Sequence, residues 1–494
     1  MRNLTLLLAL CTTAFASWGL NVNTTSGNLA SAVTDHSISA LTVEGTMDAR
    51  DFRFIADSLR SLTSLDLSGA SVEAYSNAEK PVFGTVADYE ADAIPPTAFF
   101  GMGLQQVALP AGLRTVGHAA FTGCTGLRQV ALPATVDSIG SYAYSGCTAL
   151  TAVTLPAGLR IGEGAFARCT GLLSASVQCG KVGDGAFKGC TALATVDLGR
   201  GVGQIGAEAF AGCTALTAPA VARESAITGI GQSAFAGSGV KEFDFKACKG
   251  LTEIGQWAFA CTPLQSVVLP EGVEAVGDGA FFYNASLERL QLPSSVVRIG
   301  DFVLAGSNAV ATDSVLNRGL TEVGSYALYG WNRVARLIVP RTVEKIGTRA
   351  MAGMTALREL LAEPMAVPES ADSLWAGVDP QRVTLYVNTA ALAAYKAAPQ
   401  WREFKIIDNP TLSVDNVEAQ AASVKARFSG ATLVVTSSEP MAQVSLFAPS
   451  GIVLSTVTPA GERAEIDTQA YAGRVYLVRV ALKGGAKKAF KLVR

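Results

Sequence analysis

Histidine is nearly missing from this chain of 494 residues: His36 and His118 are the only two. Imidazole is the commonest metal ligand and the usual acid/base group near neutral pH, so most metal sites and most His-based catalytic schemes lose their central member. Charge is scarce as well, at 16% of residues, and nearly balanced at a formal −2. The basic footprint of a nucleic-acid binder is therefore lacking. Also absent are a Gly-x-Ser-x-Gly elbow, a His-Glu-x-x-His helix, a Gly-Lys-Ser/Thr phosphate loop and any Cys-x-x-Cys pair. Beyond the first residues no stretch approaches the roughly 20 apolar residues of a bilayer span, so no transmembrane segment is expected. No metal, cofactor or catalytic residue is implied. Paired carboxylates of a glycan-acting enzyme stay open, although the acidic residues scatter over variable positions.

What is present is 49% hydrophobic residues and 49 glycines. Arg2, the apolar run Leu4 to Leu10 and the small-residue site Ala14-Phe15-Ala16 have the order of a secretory signal, which sets residues 1–16 apart and places the rest outside the cytoplasm. A lipoprotein signal at Leu8-Ala9-Leu10-Cys11 is the rival reading, disfavoured by the bulk of Leu10.

Self-similarity dominates the rest. Ile or Val, Gly, two variable residues, Ala and a large apolar residue recur with the glycine at 117, 140, 162, 183, 206, 231, 255, 277, 300, 324 and 347. An earlier copy, Ile94-Pro95 to Ala98-Phe99, has Pro in the glycine slot. Between these anchors runs Leu-x-x-Val-x-Leu-Pro, as in Leu104 to Pro110, Leu127 to Pro133, Leu150 to Pro156 and Leu264 to Pro270. Alternation stopped by Pro reads as a short strand with one face inward. The Gly reads as a tight turn, and Ala-Phe as a close wall with a ring filling the centre. One copy cannot bury its apolar side, but stacked copies can, with the strands forming a parallel ladder. The expected fold is mainly β: a solenoid of about 12 coils of about 23 residues, capped at both ends.

Period two places outward-facing pairs at Gln106 and Ala108, Gln129 and Ala131, Ala152 and Thr154, Thr195 and Asp197, Ser266 and Val268, Arg289 and Gln291, Arg336 and Ile338. The row becomes larger and more basic late, making Arg289, Gln291, Arg336 and Ile338 the candidate binding face, against a merely solvated sheet. Cys124, Cys147, Cys169, Cys190 and Cys213 each sit three residues after the ring of their repeat, and Cys261 is assigned to the same slot after a one-residue shortening. Equivalent slots point in parallel, which suits a column of buried thiols better than disulfides. Cys179 and Cys248 lie outside the slot, His118 reads as an exposed turn residue, and His36 lies near the N-terminal end. Where the solenoid pattern stops, after Asn409-Pro410, alternating segments at Thr432 to Thr436, Gln443 to Phe447, Ile452 to Val457 and Val475 to Val480 predict a small Ig-like β-sandwich.

These phrases resemble the BspA-type leucine-rich repeats of bacterial surface proteins over roughly residues 94–360. Leu41 to Thr46, Asp51-Phe52-Arg53 and Leu62 to Gly69 are similar to the opening segment of such proteins from Bacteroidetes. Val383 to Val387 with the Ala-rich stretch to Trp401 and Phe404 is similar to their closing cap. The region Asp301 to Asn317 departs from the pattern, with Val303-Leu304 replacing Ala-Phe and no Leu-Pro ending, so a bulge or loop is expected there. The end of the chain resembles the sorting domain of type IX secretion, on Val444 to Phe447 with Gly451, Gly473, Tyr476 and Val478, Gly484-Gly485, and Lys491 and Val493. The divisions that follow are a signal at 1–16, an N-terminal cap at 17–93, repeats at 94–362, a closing cap at 363–408 and the sorting domain at 412–494. The resemblance implies export by that machinery, removal of the last module and surface attachment of the rest. It further implies adhesion to a host or bacterial surface protein or glycan. A passive surface-layer role and, below it, a glycan-acting enzyme are the alternatives. Asp57-Ser58-Leu59, Asp137-Ser138-Ile139, Asp313-Ser314-Val315 and Asp372-Ser373-Leu374 look like Bacteroidetes O-glycosylation sites.

Overall fold

A computed structural model describes residues 19–77, 82–84, 88–307, 316–409, 424–437, 440–448, 453–471, 475–483 and 487–493. The signal at 1–16, Gly451, Gly473, Gly484-Gly485 and the Asp313 site lie outside the described residues. The chain divides into two compact units, Met1–Arg358 with Pro368–Arg382, and Glu359–Val367 with Val383–Arg494.

The first unit is wound from coils with three walls. On one wall, strands Leu20–Thr24, Ala40–Met47, Ser64–Val72 and Gln106–Ala108 pair in parallel in chain order. The N-terminal segment is therefore itself part of the winding, and the turns number about 16 instead of about 12. Helix Ala49–Ser58 crosses beside them, its first turn closed by a capping box between Asp48 and Asp51. The same wall continues as Ala152–Leu155, Ser174–Val177, Thr195–Leu198 and Ala220–Val221, then as Ser266–Val268 with Arg289–Gln291.

This wall is not the unbroken ladder its Leu-Pro phrases predict. Gln129 and Ala131 are exposed but belong to no strand. The hydrogen bonds there stop at Arg128, whose N–H reaches Gln105 O at 3.2 Å and whose carbonyl accepts from Thr151 N–H at 3.4 Å. A second break falls at the 3-10 turn Phe245–Ala247, where Phe243 and Phe245 turn inward. Their rings meet Phe259 at 5.4 Å each, so core filling replaces strand pairing.

The second wall carries the winding through these gaps. Two-residue strands, all but the first and last ending in the Ile or Val before a repeat glycine, form a four-stranded ladder from Ala93–Ile94 to Arg160–Ile161 and a nine-stranded one from Lys181–Val182 to Glu369–Ser370. The glycine that follows has a different role from the tight turn its sequence suggests. At Gly231 the backbone φ is ordinary, yet a Cβ would sit 2.7 Å from both Ala207 N and Gly206 C of the preceding coil. The residue is absent of side chain because two backbones meet there.

Inside, Phe99, Phe121, Tyr144, Phe166, Phe187, Phe210, Phe235, Phe259 and Phe281 stack coil on coil with centroids 5.0 to 5.8 Å apart. Val303 and Leu304 keep the Ala and ring slots of their coil: both are buried, and Leu304 N–H donates to Ala327 O at 2.9 Å. The departure expected at 301–317 thus leaves the turn intact, while 308–315 are outside the described residues.

In the second unit, strands Glu359–Ala362, Thr384–Val387 and Lys405–Asp408 pair in parallel, with helix Leu392–Ala397 placing Tyr395 5.2 Å from Trp401, edge to face. The end of the chain forms two antiparallel sheets. One holds Lys425–Ser429, Thr432–Thr436 and Arg463–Asp467, and the other Val453–Val457, Met441–Phe447, Val475–Leu482 and Lys487–Val493. Alternate residues of both, among them Leu433, Ile466, Val444, Tyr476 and Val478, share one core.

Candidate binding surface

The third wall of each coil is the turn that follows the glycine. Its N–H groups donate to the next coil at alternate residues, as in Ala119 to Ser141 O at 2.9 Å, Phe121 to Ala143 O at 2.7 Å and Gly123 to Ser145 O at 2.8 Å. Two backbone positions of each turn, two and six residues after the glycine, are left-handed. The second of these is glycine in most coils, Gly123 and Gly146 for example, because only glycine adopts that conformation at no steric cost.

Between residues 255 and 330 the turns break this economy. Trp257 (φ 57), Phe302 (φ 57) and Tyr326 (φ 56) hold the first left-handed position and Tyr283 (φ 55) the second. A bulky residue there is an outlier, worth about 1–2 kcal/mol each against folding. None fills the core. Tyr283 is 61% and Tyr329 46% exposed, and Trp257, Phe282, Phe302 and Tyr326 are half-buried. Trp257 lies face-on over Gly279 of the next coil, with three atoms of its ring 2.2 to 2.6 Å from where a Cβ would be. Tyr283 covers Gly306 in the same way, with a ring atom 2.7 Å from the Cβ position. Phe282 meets Trp257 edge-on at 5.4 Å, Phe302 stacks on Tyr326 at 4.8 Å and 7°, and Tyr329 adjoins Tyr326 at 5.7 Å. Six rings on four successive coils thus lie on this wall in two contacting groups, Trp257 with Phe282 and Tyr283, and Phe302 with Tyr326 and Tyr329.

The residue before each first left-handed position is polar and fixed. Asp278 Oδ1 accepts from Asp301 N–H at 2.9 Å, and Asp301 Oδ1 from Ser325 N–H at 2.7 Å. Gln256 donates to Asp278 Oδ2 at 3.3 Å. At the same corner a shallow cavity of about 250 Å³ is lined by Asp301, Glu322, Ser325, Lys345, Glu369 and Ser370 together with backbone of Gly324 and Gly347. The outward residues of the ladder beside it alternate in sign, Arg298, Glu322, Lys345 and Glu369 being in register, and Arg298 pairs with Glu322 at 3.3 Å.

The strand-face candidates are not assembled into one site. Arg289 and Gln291 are exposed on the strand paired with Ser266–Val268, whereas Arg336 and Ile338 are half-buried on Arg336–Val339, which belongs to a separate sheet. His118 and His36 are exposed, 6.1 Å from the Tyr142 ring and 5.6 Å from the Phe54 ring respectively. Among the described residues no group of three or more His, Cys, Asp or Glu is placed to hold a metal, and no helix is long and apolar enough to cross a membrane.

The cysteine slot proves to be a row of hydrogen-bond donors. Cys124, Cys147, Cys169, Cys190 and Cys213 are buried free thiols, and each Sγ lies 3.0 to 3.2 Å from the carbonyl of the ring residue one coil back. Asn284, Ser307 and Trp331 continue the row, donating to Phe259 O, Phe281 O and Leu304 O at 3.0, 2.7 and 2.8 Å. Burial pushes the Cys124 and Cys213 thiols up to about 12 and Cys179 and Cys248 to about 11. Such thiols carry no nucleophile at neutral pH. Cys261 departs from this row. It is exposed at the second left-handed position (φ 55), and Thr262 occupies the slot, because the turn geometry counts three residues from Phe259 without shortening.

Of the sorting-motif residues, Tyr476 and Val478 are interior, and the Tyr476 hydroxyl donates to Tyr471 O at 2.8 Å. Lys491 and Val493 lie on the last strand, opposite Leu477 and Val475.

Comparisons with known proteins follow the same lines. A leucine-rich repeat protein from Bacteroides ovatus is 18% identical, with a TM-score of 0.50 over 76% of this chain and 96% of its own. A leucine-rich cell surface protein from Faecalibacterium prausnitzii is 26% identical over 58% of this chain and 85% of its own, with a TM-score of 0.37. No curated protein gives a significant match. The model of the BspA-type leucine-rich repeat region matches residues 92–217, 180–310 and 282–365, together more than half of the chain. By repeat sequence and by fold, this chain belongs to the BspA-type leucine-rich repeat family.

Proposed function

We propose that the protein is an exported, non-catalytic binding scaffold whose contact surface is the turn wall over residues 257–329. The observation that carries this reading is the clustering of rings on that wall. Within four successive coils Trp257, Tyr283, Phe302 and Tyr326 hold left-handed positions where the other coils carry a single aromatic residue, Tyr142, among Ala, Ser, Thr, Gly, Glu and Arg, and each of the four rings stays partly exposed. Apolar ring area gathered at one place on a surface is area that a partner can cover. Aromatic side chains also suit a contact role, because they bring large area with few rotors to immobilise.

The test compares two variants for retention on the surface of neighbouring bacteria and host cells. Trp257→Ala/Tyr283→Ala/Tyr326→Ala is expected to lose retention, and Arg289→Glu/Arg336→Glu to keep it. The reverse pattern moves the site to the strand face, and equal retention by both variants leaves a passive surface-layer role. The terminal module is proposed as the export signal of the type IX pathway. Mass spectrometry of the mature protein should then find a chain beginning near residue 17 and ending near residue 410, whereas an intact Arg494 would refute the cleavage.

A further inference from the structure

The wall that begins at Leu20–Thr24 has one open side, and the backbone groups along it can be named. Ser64 N–H donates to Ser39 O at 3.1 Å, so within Ala40–Met47 Leu41 turns its peptide groups to the following strand, and Ala40, Thr42 and Glu44 turn theirs to the preceding one. Asn21 lies opposite Thr42 and Asn23 opposite Glu44. In a parallel pair such residues bond the neighbours of their opposites, which spends Leu20, Val22 and Thr24 on the second strand. Asn21 and Asn23 therefore turn N–H and C=O to the open edge, where no hydrogen bond reaches them among the described residues.

Open edges are ordinarily closed to other chains by charge, Pro or a bulge. The strands that end the sheets of the second unit have such protection: Lys405–Asp408 is charged at both ends, Lys425–Ser429 has Lys425 and Arg427, Arg463–Asp467 has Arg463, Glu465 and Asp467, Lys487–Val493 has three lysines, and Val453–Val457 meets its neighbour through a register shift. Leu20–Thr24 has none of these. It reads Leu-Asn-Val-Asn-Thr, pairs in even register and leaves Leu20 36% exposed.

The same segment is its own complement. Turned about Val22, it sets Asn21 opposite Asn23 of a second copy with peptide groups aimed across, which makes two hydrogen bonds, and the reverse pair makes two more. Val22 then meets Val22 and Leu20 meets Thr24 on the inner face, while asparagine amides meet on the outer face. The exposed residues of helix Leu29–Ala32 in the same coil, Ala30, Ser31 and Ala32, are small enough for two such ends to approach. We propose that two copies of this chain join head to head, Leu20–Thr24 pairing antiparallel with itself about a two-fold axis at Val22. The proposal is independent of the turn wall and rests on the expected cut near Ala16, which leaves Ser17 and Trp18 ahead of the edge. So small a contact makes a pair that forms and parts with concentration. Copies crowded on one surface are then paired, and each pair offers a partner two turn walls at once.

Sedimentation equilibrium of the chain without its signal, residues 17–494, tests this; the cut itself is tested separately by the mass spectrometry above. The average mass should rise with concentration from one chain towards two. Asn21→Pro removes an edge-facing N–H from each copy, a change an outermost strand accepts on its open side. With two of the bonds gone, association should weaken about thirtyfold at an unchanged circular dichroism melt. Asn21→Lys/Asn23→Lys sets like charges opposite each other and should give monomers, as should Asn21→Glu/Asn23→Glu. An equimolar mixture of these two variants should associate again, a rescue that damage to the fold would not produce.

The mass of one chain at every concentration would overturn the proposal, as would a dimer that Asn21→Pro and the lysine variant leave intact. A dimer lost in Trp257→Ala/Tyr283→Ala/Tyr326→Ala but kept in the lysine variant would place the contact on the turn wall instead. A mixture of the lysine and glutamate variants that stays monomeric would overturn the antiparallel register and with it the second copy as the occupant of this edge.

Discussion

Gly231 and Gly237 lie in one coil and separate two reasons for glycine. At Gly231 a Cβ would stand 2.7 Å from Ala207 N and Gly206 C, both backbone atoms that cannot swing aside. Relieving that contact to an ordinary van der Waals distance moves the two coils apart by about 0.7 Å. The bonds that would stretch are Gly231 N–H to Ile205 O, Glu208 N–H to Gln232 O, Phe210 N–H to Ala234 O and Gly212 N–H to Ala236 O, now 2.7 to 2.9 Å. At about 1 kcal/mol net for each bond, Gly231→Ala should cost about 3–5 kcal/mol. Gly237 has a φ of +64 and nothing within 4 Å of its Cβ position, so Gly237→Ala pays only the left-handed penalty of about 1–2 kcal/mol. The entropy that alanine removes from the unfolded chain is common to both and cancels. Urea denaturation followed by circular dichroism gives the comparison. If Gly231→Ala is no more destabilising than Gly237→Ala, backbone contact between coils is not why these glycines are there.

The donor row predicts that Cys147→Ser, which keeps a donor for Phe121 O, is better tolerated than Cys147→Ala, which leaves that carbonyl with only its bond from Cys124 N–H and should cost about 1 kcal/mol; paired thermal melts decide. Cys261→Gly should raise stability by about 1 kcal/mol by removing a left-handed side chain, and it should abolish the fast native reaction with a thiol reagent, since the other described cysteines are buried. The buried Tyr144 hydroxyl has no hydrogen-bond partner, so Tyr144→Phe should stabilise by about 1 kcal/mol in the same melt. For the thiols of Cys124 and Cys213, the folded value is raised from 9.0 to about 12. Their contribution is complete below about pH 9 and is lost as pH rises towards 12, because the unfolded chain gives up those protons first. A urea midpoint that does not fall between pH 8 and pH 10.5 would contradict this burial.

Much of the winding was legible because its signals are spaced by backbone geometry. Ile or Val before Gly marks the two ladders of the second wall, and Ala-Phe marks the inner stack. The broken wall was not legible, since Leu127 to Pro133 has the same pattern as its neighbours and the loss of pairing after Arg128 depends on the coils on either side. Cys261 was placed by residue type, whereas the turn counts from Phe259 and gives the slot to Thr262. The glycine's purpose was misjudged because a tight turn and a close approach both call for a missing side chain, and only the neighbouring coil distinguishes them. The aromatic groups were missed because the period-two reading followed the strand wall. Counting two, five and six residues after each repeat glycine would have found Trp257, Phe282, Tyr283, Phe302, Tyr326 and Tyr329 without coordinates.

Each coil of the ladder is bonded only to the one before and the one after it, and this sets how the molecule answers tension. Pulled from its ends, such a stack sheds one coil at a time, and each release pays out a loop of about 23 residues, or about 80 Å of slack. Force spectroscopy should record a sawtooth of that spacing. A load carried through such a stack would be yielded in steps, with the coils not yet shed still holding.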